Sequence, residues 1–254
     1  MRTIKLTLAY DGTDFVGWQR QARGRSIQGE LERALAEIEG RPLAVAGAGR
    51  TDAGVHALGQ VASVQIAHAI ETPALVRALN AGLPPDIRLL AAEAVGADFH
   101  ARYAARRKTY RYWLTSGPVA SPFTRRYAWH VRKPLDVDAM REAAALLAGR
   151  HDFAAFQAVG TEVASTVRTL HAVDVGFGPA FASPPAAPAP ALTIDVVGDG
   201  FLRHMVRNIV GTLVEVGAGR VQASRISAIV ASRARRCAGP TAPPRGLFLV
   251  AVDY

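Results

Sequence analysis

The feature that most constrains this chain is a glycine-rich stretch with one carboxylate, residues 47–64, with the sequence GAGRTDAGVHALGQVASV. Asp52 is the only acid in the stretch and follows Arg50 by two positions. Residues 60–67 alternate between apolar and polar side chains, which predicts a half-buried strand. The stretch therefore predicts a loop that presents one acid and is anchored by the strand after it.

Three interpretations of this loop compete. A surface turn is one, because Asp and Gly tolerate turn geometry. A dinucleotide phosphate cradle is excluded, because Asp52 stands where the third glycine is needed and no helix pattern begins there. A catalytic carboxylate is the third, since the neighbouring Arg50 favours the ionised form that a nucleophile needs. The turn and the catalytic carboxylate both stay open on these residues alone.

Composition narrows the class of protein. The 254 residues are 50% hydrophobic, with one cysteine, a net charge of +9 and a pI near 10.4. A single cysteine excludes an internal disulfide and a multi-cysteine zinc site. No apolar run reaches the ~18 residues of a membrane span, and the N-terminus lacks a signal-peptide core. We expect a cytoplasmic protein with a polyanionic partner and no membrane association.

Periodicity predicts alternating strands and helices, an α+β pattern. The predicted strands cover residues 2–10, 43–46, 60–67, 86–95, 108–114, 168–176, 192–198 and 246–254. The predicted helices cover residues 27–39 after an Ser26 cap, a segment from a Thr72 cap to Gly82, residues 137–148 after an Asp136 cap, a segment starting near Phe201 and one starting near Ser224. The proline- and alanine-rich segment between Gly178 and Ala191 predicts an exposed, extended loop.

Two groups of aromatic residues each have a core and a functional interpretation. Phe15 and Trp18, in a polar loop that looks exposed, either pack in the core or help neighbouring arginines bind a nucleic-acid backbone. Tyr110, on a predicted strand, is either a core aromatic or a platform for a flipped base.

The helix starting near Phe201 carries an arginine at the edge of its apolar face. Arg207 is either solvated there or held by a carboxylate, and Asp52 is the natural partner. Histidines at 56 and 151 lack the close spacing of ligands that a metal site needs, so we predict no metal.

Five motifs, in order, resemble those of the tRNA pseudouridine synthase A family. They are F-x-G-W-Q-x-Q from Phe15, R-T-D-x-G-V-H from Arg50, K-x-Y-x-Y from Lys108, F-L-x-H-M-V-R-N-I from Phe201 and G-L-x-L-V from Gly246. The resemblance spans nearly the whole chain.

The resemblance implies a fold and an assembly. The fold is two similar α+β halves, residues 1–104 and 105–254, that share a continuous, mostly antiparallel sheet flanked by helices, with a cleft between the halves. It also implies a homodimer, with each tRNA contacting both subunits.

The resemblance further implies conversion of uridines 38, 39 and 40 of the tRNA anticodon stem-loop to pseudouridine, without a cofactor. Asp52 is then the catalytic carboxylate, Tyr110 stacks on the base, and Arg207 holds Asp52 ionised. Further substrate contacts implied near the base are Arg50, Leu247 and Leu249.

Basic residues near the motifs are candidates for contacts with the RNA backbone. They are Arg20, Arg23, Arg102, Arg106, Arg107, Lys108 and Arg233. Two other functions compete with the synthase: a non-catalytic RNA-binding protein or chaperone, which does not need Asp52, and a nucleosidase or glycosidase, which usually needs a second acid.

Overall fold

The structure, a computed structural model, describes residues 1–178 and 191–254. The predicted loop between Gly178 and Ala191 lies outside the described residues. The chain forms two compact units, the first of residues 1–106 and 248–254 and the second of residues 107–247. The predicted boundary falls at 104/105, and residues 248–254, predicted to belong to the second half, cluster with the first unit.

Ten strands and five α-helices are found in the described residues. The strands are β1 (Arg2–Tyr10), β2 (Ala46–Gly47), β3 (His56–Ile66), β4 (Ile87–Val95), β5 (Arg107–Ser116), β6 (Trp129–Val131), β7 (Gly149–Asp152), β8 (Val167–Gly178), β9 (Ala191–Gly198) and β10 (Leu247–Asp253). The helices are α1 (Ile27–Glu39), α2 (Thr72–Gly82), α3 (Val137–Ala145), α4 (Met205–Gly217) and α5 (Arg225–Ser232).

The sheet of the first unit has the strand order β4-β1-β3-β10. β1 is antiparallel to both β3 and β4, and β10 runs parallel to β3. Alternation along β1 buries Ile4, Leu6 and Leu8 completely, as predicted. Helix α1 begins after Ser26, whose hydroxyl accepts a hydrogen bond from the Gly29 amide at 3.2 Å.

Two local predictions in the first unit are wrong. The strand predicted at 43–46 is reduced to β2, because Val45 bonds to α1 instead of to a strand: its N–H donates to Glu32 at 3.2 Å and its carbonyl accepts from Gln28 at 3.1 Å. Helix α2 includes Thr72 as its first residue, and Glu71 takes the cap position without a side-chain hydrogen bond.

The sheet of the second unit has the order β5-β9-β8-β7, with every neighbour antiparallel. β6 is added beside β5 in parallel. Tyr110 lies opposite Val196 in the β5–β9 ladder. Tyr110, Tyr112 and Trp113 are all buried, so both faces of β5 are covered.

Two helices of the second unit differ from their predicted bounds. α3 ends at Ala145, three residues early, because its last turn tightens and Gly149 turns the chain with φ +106° into β7. α4 begins at Met205, not near Phe201, because His204 has a left-handed φ of 61° that an α-helix cannot contain.

The α+β class and the mostly antiparallel pairing are confirmed. No helix in the described part of the chain has the length and apolar character needed to cross a membrane.

Candidate active site

The acidic loop of the first unit joins β2 to β3. Thr51 is buried, Asp52 is half-buried and Arg50 is exposed. The Val55 amide donates to the Asp52 carbonyl at 3.1 Å and closes a turn immediately after the acid. The loop therefore holds the backbone of Asp52 in a defined conformation.

A chain of hydrogen bonds beneath the loop fixes the residues before Asp52. One Gln60 amide hydrogen is donated to the Gly49 carbonyl at 3.0 Å and the other to the Tyr10 hydroxyl at 3.3 Å. The Tyr10 hydroxyl lies 2.8 Å from Thr51 Oγ1. Gln60 thus has both amide hydrogens occupied and orders the loop.

In this chain of hydrogen bonds, Tyr10 is a neutral anchor. Burial raises the pKa of Tyr10 from 10.0 to about 12, opposed by its hydrogen bonds with Thr51 and Gln60. Tyr10 is in phase with the apolar residues of β1, so its side chain enters the core and its hydroxyl needs a partner there.

The loop of residues 11–25 packs directly against the acidic loop. The Trp18 amide donates to the Thr51 carbonyl at 3.0 Å. Gly17 has φ +109°, and a Cβ there would lie 2.6 Å from the Thr51 oxygen, so any side chain would collide with the backbone beside Asp52. Residues 11–25 therefore support the backbone of the acidic loop beside Asp52.

The aromatic residues of this loop are internal. Phe15 is 4% exposed and Trp18 is 2% exposed. The core interpretation of both is confirmed, and the exposed appearance of their loop in the sequence was misleading. The loop lies against the rest of the unit because its backbone groups bond to the acidic loop and to α1.

His56 is a structural residue at the start of β3. It is fully buried, and its Nδ1 lies 3.1 Å from the Gly12 amide, which donates to it. Its ring stacks on Phe248 with 4.5 Å between the centroids. These contacts hold the start of β3 against residue 12 and Phe248.

In the second unit, Tyr110 packs against an aromatic residue that sequence reasoning had not connected with it. Tyr110 is 7% exposed, and its ring meets Phe201 edge to face, with 5.1 Å between the centroids and 83° between the planes. Phe201 lies in the turn before α4, within the same motif as Arg207. The ring of Tyr110 is therefore oriented by that motif.

Arg207 lies in the first turn of α4 and is half-buried. Its Nε donates to the Ala242 carbonyl at 2.7 Å, and the Ala242 amide donates back to the Arg207 carbonyl at 3.1 Å. A Cβ on Gly211 would lie 1.7 Å from the Pro240 oxygen, so α4 needs glycine there to admit residues 240–242. The base of the guanidinium is therefore held in position.

Tyr112 and Asn208 complete the surroundings of Arg207. The Tyr112 hydroxyl donates to the Pro243 carbonyl at 2.7 Å. Burial raises the pKa of Tyr112, and the charges of Arg207 and Arg245 lower it in part. Asn208 is fully buried and binds the Phe156 carbonyl, Thr241 and Arg235.

Known proteins match this sequence along nearly its whole length. A family model described as tRNA pseudouridine synthase matches residues 7–104 and 143–254. The tRNA pseudouridine synthase A of Moorella thermoacetica is 48% identical, over all of both chains. That of Myxococcus xanthus is 46% identical over all of this chain and 92% of the relative, and that of Geobacter sulfurreducens is 45% identical over all of both. The chain belongs to the tRNA pseudouridine synthase family.

The predicted site residues belong to both units. Arg50, Asp52 and Leu249 belong to the first, and Tyr110, Arg207 and Leu247 belong to the second. Leu249 is fully buried and Leu247 is 5% exposed, so both pack in the interior. Their contact with a base stays a prediction.

The predicted RNA-contacting residues differ in whether a carboxylate of the protein already pairs with them. Arg20 Nη1 lies 3.3 Å from Glu32, and Arg233 Nε lies 2.9 Å from Asp152. Four are exposed with no carboxylate partner among the described residues: Arg23, Arg102, Arg106 and Arg107. Lys108 is partly buried in β5.

Arg235, two residues after the predicted contact Arg233, is turned inward. It donates to the carbonyls of Ala238 and Gly239 as well as to Asn208, and burial lowers its pKa. The basic cluster at 233–236 is therefore not a uniform basic surface.

Sequence reasoning missed Tyr10 and Phe201 as supports of the site. Tyr10 was detectable from its phase with Leu6 and Leu8, since a buried tyrosine needs a hydrogen-bond partner. No such signal identifies Phe201, because its role depends on a turn where the sequence pattern predicts a helix. Within the described residues, no three His, Cys, Asp or Glu side chains are grouped closely enough to bind a metal ion.

Proposed function

We propose that this enzyme converts uridines 38, 39 and 40 of the tRNA anticodon stem-loop to pseudouridine, with Asp52 as the reacting carboxylate. The observation that carries the proposal is the R-T-D-A-G-V-H loop itself. It presents one half-buried acid on a backbone held by Trp18, Val55 and the Gln60–Tyr10–Thr51 chain. A reacting group benefits from such a support, because little ordering remains to be done when the substrate binds.

The reaction is a balanced isomerisation. The bond between N1 and C1′ breaks, the base turns, and C5 forms a new bond to C1′. C5 then loses its proton and N1 gains one, so no electrons are exchanged with a cofactor. Attack on C1′, attack on C6 and removal of a ribose proton each require one carboxylate, which is Asp52 in this proposal.

The family resemblance supplies the proposed roles of the other predicted residues. Arg207 keeps Asp52 ionised and takes the place of the flipped nucleotide in the stem. Tyr110 stacks on the target base, with its ring oriented by Phe201. Arg50, exposed two residues from Asp52, contacts RNA near the flipped base.

Recognition of several uridines implies that shape and backbone are read more than sequence. The net charge of +9 suits phosphate contacts, whose free energy offsets the few kcal/mol that base flipping costs. We also propose a cytoplasmic homodimer in which each tRNA contacts both subunits. Light scattering on the purified protein tests the dimer.

The test measures tritium release from tRNA labelled at C5 of uridine, because pseudouridine formation frees that hydrogen. We expect release with the wild type and a loss of at least about 10³-fold with Asp52→Asn, which keeps the shape of the side chain. Replacing uridines 38, 39 and 40 singly by cytidine should remove the corresponding share of the label released.

Asp253→Asn is the matched control, because Asp253 is an exposed carboxylate of the same unit. It should react like the wild type. If the wild type binds tRNA but releases no tritium, the chain is an RNA-binding protein instead. An active Asp52→Asn with intact folding would refute the assignment of the reacting carboxylate.

A further inference from the structure

Tyr103 stands out among the aromatic residues of the first unit. It is 78% exposed, in a turn that connects β4 to β5. A single exposed apolar residue is ordinary on a protein surface. What sets Tyr103 apart is the order of its turn and the charge around it.

The turn is fastened at Ala101, which is fully buried. The Ala101 amide donates to Ser63 Oγ at 3.1 Å, and its carbonyl accepts from the Tyr254 hydroxyl at 2.8 Å. Both backbone groups of this residue are thus bound to the body of the first unit. The position of the turn is set by the fold.

His100 orders the turn on the side of Tyr103. Its Nδ1 accepts from the Arg102 amide at 3.1 Å and from the Tyr103 amide at 3.4 Å. The two rings pack with 4.4 Å between their centroids. The tyrosine ring is therefore supported from within the turn while most of its surface faces solvent, and little conformational entropy is left to lose on binding.

Two arginines of this turn form no ion pair with the described part of the protein. Arg102 and Arg106 have no carboxylate partner among the described residues, and the Arg102 guanidinium lies 5.8 Å from the centre of the Tyr103 ring. In the same unit, Arg25, Arg33 and Arg41 each pair with a carboxylate within 3.3 Å. Exposed cations beside an exposed ring match the phosphate and base of a nucleic acid.

The turn is also connected to the acidic loop within its own unit. Ala101 shares a buried cluster with Ala48 and Val61. Ala48 lies four residues before Asp52, and its amide donates to the Val61 carbonyl at 2.7 Å. RNA bound at the turn would thus contact a rigid extension of the unit that carries Asp52.

We propose that Tyr103 stacks on an unpaired base of the tRNA, with Arg102 and Arg106 binding the adjacent phosphates. The proposal rests on tRNA being the substrate, and it adds a base-stacking contact outside the site of reaction. Unpaired bases are accessible in the loop of the anticodon arm, whereas paired bases offer no free face.

The experiment measures the dissociation constant of tRNA at several salt concentrations for the wild type, Tyr103→Ala and Tyr103→Phe. Tyr103→Ala should weaken binding about 5- to 100-fold, the usual effect of losing one stacked base. Tyr103→Phe keeps the ring and should bind within about twofold of the wild type. The slope of binding against salt should stay unchanged in both, because no phosphate contact is lost.

Three controls separate stacking from other roles. Arg102→Gln should reduce the salt slope by about 0.7–0.9, as expected for one phosphate contact. Leu90→Ala removes another exposed apolar side chain of the first unit and should have no effect. The effect of Tyr103→Ala should disappear on a fully paired RNA duplex.

The proposal is overturned if Tyr103→Ala binds tRNA as tightly as the wild type. It is also overturned if light scattering shows that Tyr103→Ala changes the oligomeric state, since the ring then serves a protein interface. Tritium release by the wild type is measured separately. A wild type that is inactive but loses tRNA affinity with Tyr103→Ala would refute the synthase function and leave the stacking contact standing.

Discussion

Two segments of the first unit have similar composition and opposite surroundings. Residues 11–25 and residues 98–106 each combine aromatic side chains with arginines. In the first segment Phe15 and Trp18 are buried, and Arg25 binds Asp86 through two hydrogen bonds of 3.2 and 3.3 Å. In the second segment Tyr103 is exposed and Arg102 has no carboxylate partner among the described residues.

The difference shows that arginines beside aromatic residues do not by themselves identify an RNA-binding surface. The guanidinium of Arg25 lies 4.5 Å from the centre of the Phe15 ring and stabilises a loop that supports Asp52. What distinguishes Arg25 from Arg102 is whether a carboxylate of the protein already pairs with the guanidinium. That property depends on tertiary neighbours such as Asp86, 61 residues away from Arg25 in sequence.

The largest expected effect is the difference in how much an aromatic residue of each segment contributes to the stability of the protein. Trp18→Ala should lower the free energy of unfolding by about 3–5 kcal/mol, because it empties a buried site under the acidic loop. Tyr103→Ala should change it by less than about 0.5 kcal/mol, because the ring is mostly in water. Urea denaturation measures both. Equal losses in the two variants would contradict the distinction between support and surface.

A smaller effect tests the hydrogen-bond chain beneath Asp52. The pKa of Tyr10 is raised in the folded state, so its contribution to stability is complete below pH 10 and is lost as the pH rises to about 12. The loss amounts to roughly 2–3 kcal/mol. Tyr10→Phe should therefore flatten the fall in stability over this range in denaturation experiments at fixed pH.

The fall should become shallower in Tyr10→Phe without disappearing. Burial also raises the pKa values of Tyr112 and Tyr254, and these residues keep their own contributions. Tyr254→Phe serves as the comparison, since the Tyr254 hydroxyl donates to the Ala101 carbonyl and takes no part in the hydrogen-bond chain beneath Asp52. An unchanged profile in Tyr10→Phe would mean that Tyr10 is not the buried neutral anchor described here.

The smallest effect compares paired and unpaired arginines by their salt dependence. Arg106→Gln should reduce the salt slope of tRNA binding by about 0.7–0.9, the release expected for one phosphate. Arg33→Gln should leave the slope unchanged, because Arg33 already binds Glu37 at 2.6 Å and Glu30 at 3.4 Å. Equal slopes in the two variants would show that pairing does not predict which arginines meet RNA.

Much of the fold was predictable because local rules agree with the tertiary structure. The alternation of β1 and the Ser26 cap of α1 both report local geometry, and both predictions are confirmed. The strand predicted at 43–46 failed because Val45 satisfies its backbone through Glu32 and Gln28, contacts that no local pattern shows. The start of α4 failed because a single left-handed residue, His204, interrupts an otherwise helical pattern.

The sequence by itself determined the family, the class of fold and the candidate carboxylate. A motif specifies residue types at fixed spacings, so a match of this length is recognisable in the sequence alone. Periodicity reports which side of a strand or helix is apolar. The tertiary structure alone decided that Phe15 and Trp18 support Asp52 from the interior, that Arg235 turns inward and that Tyr103 faces solvent. The reason is physical: burial and ion pairing depend on residues distant in sequence, and composition does not record which of them meet.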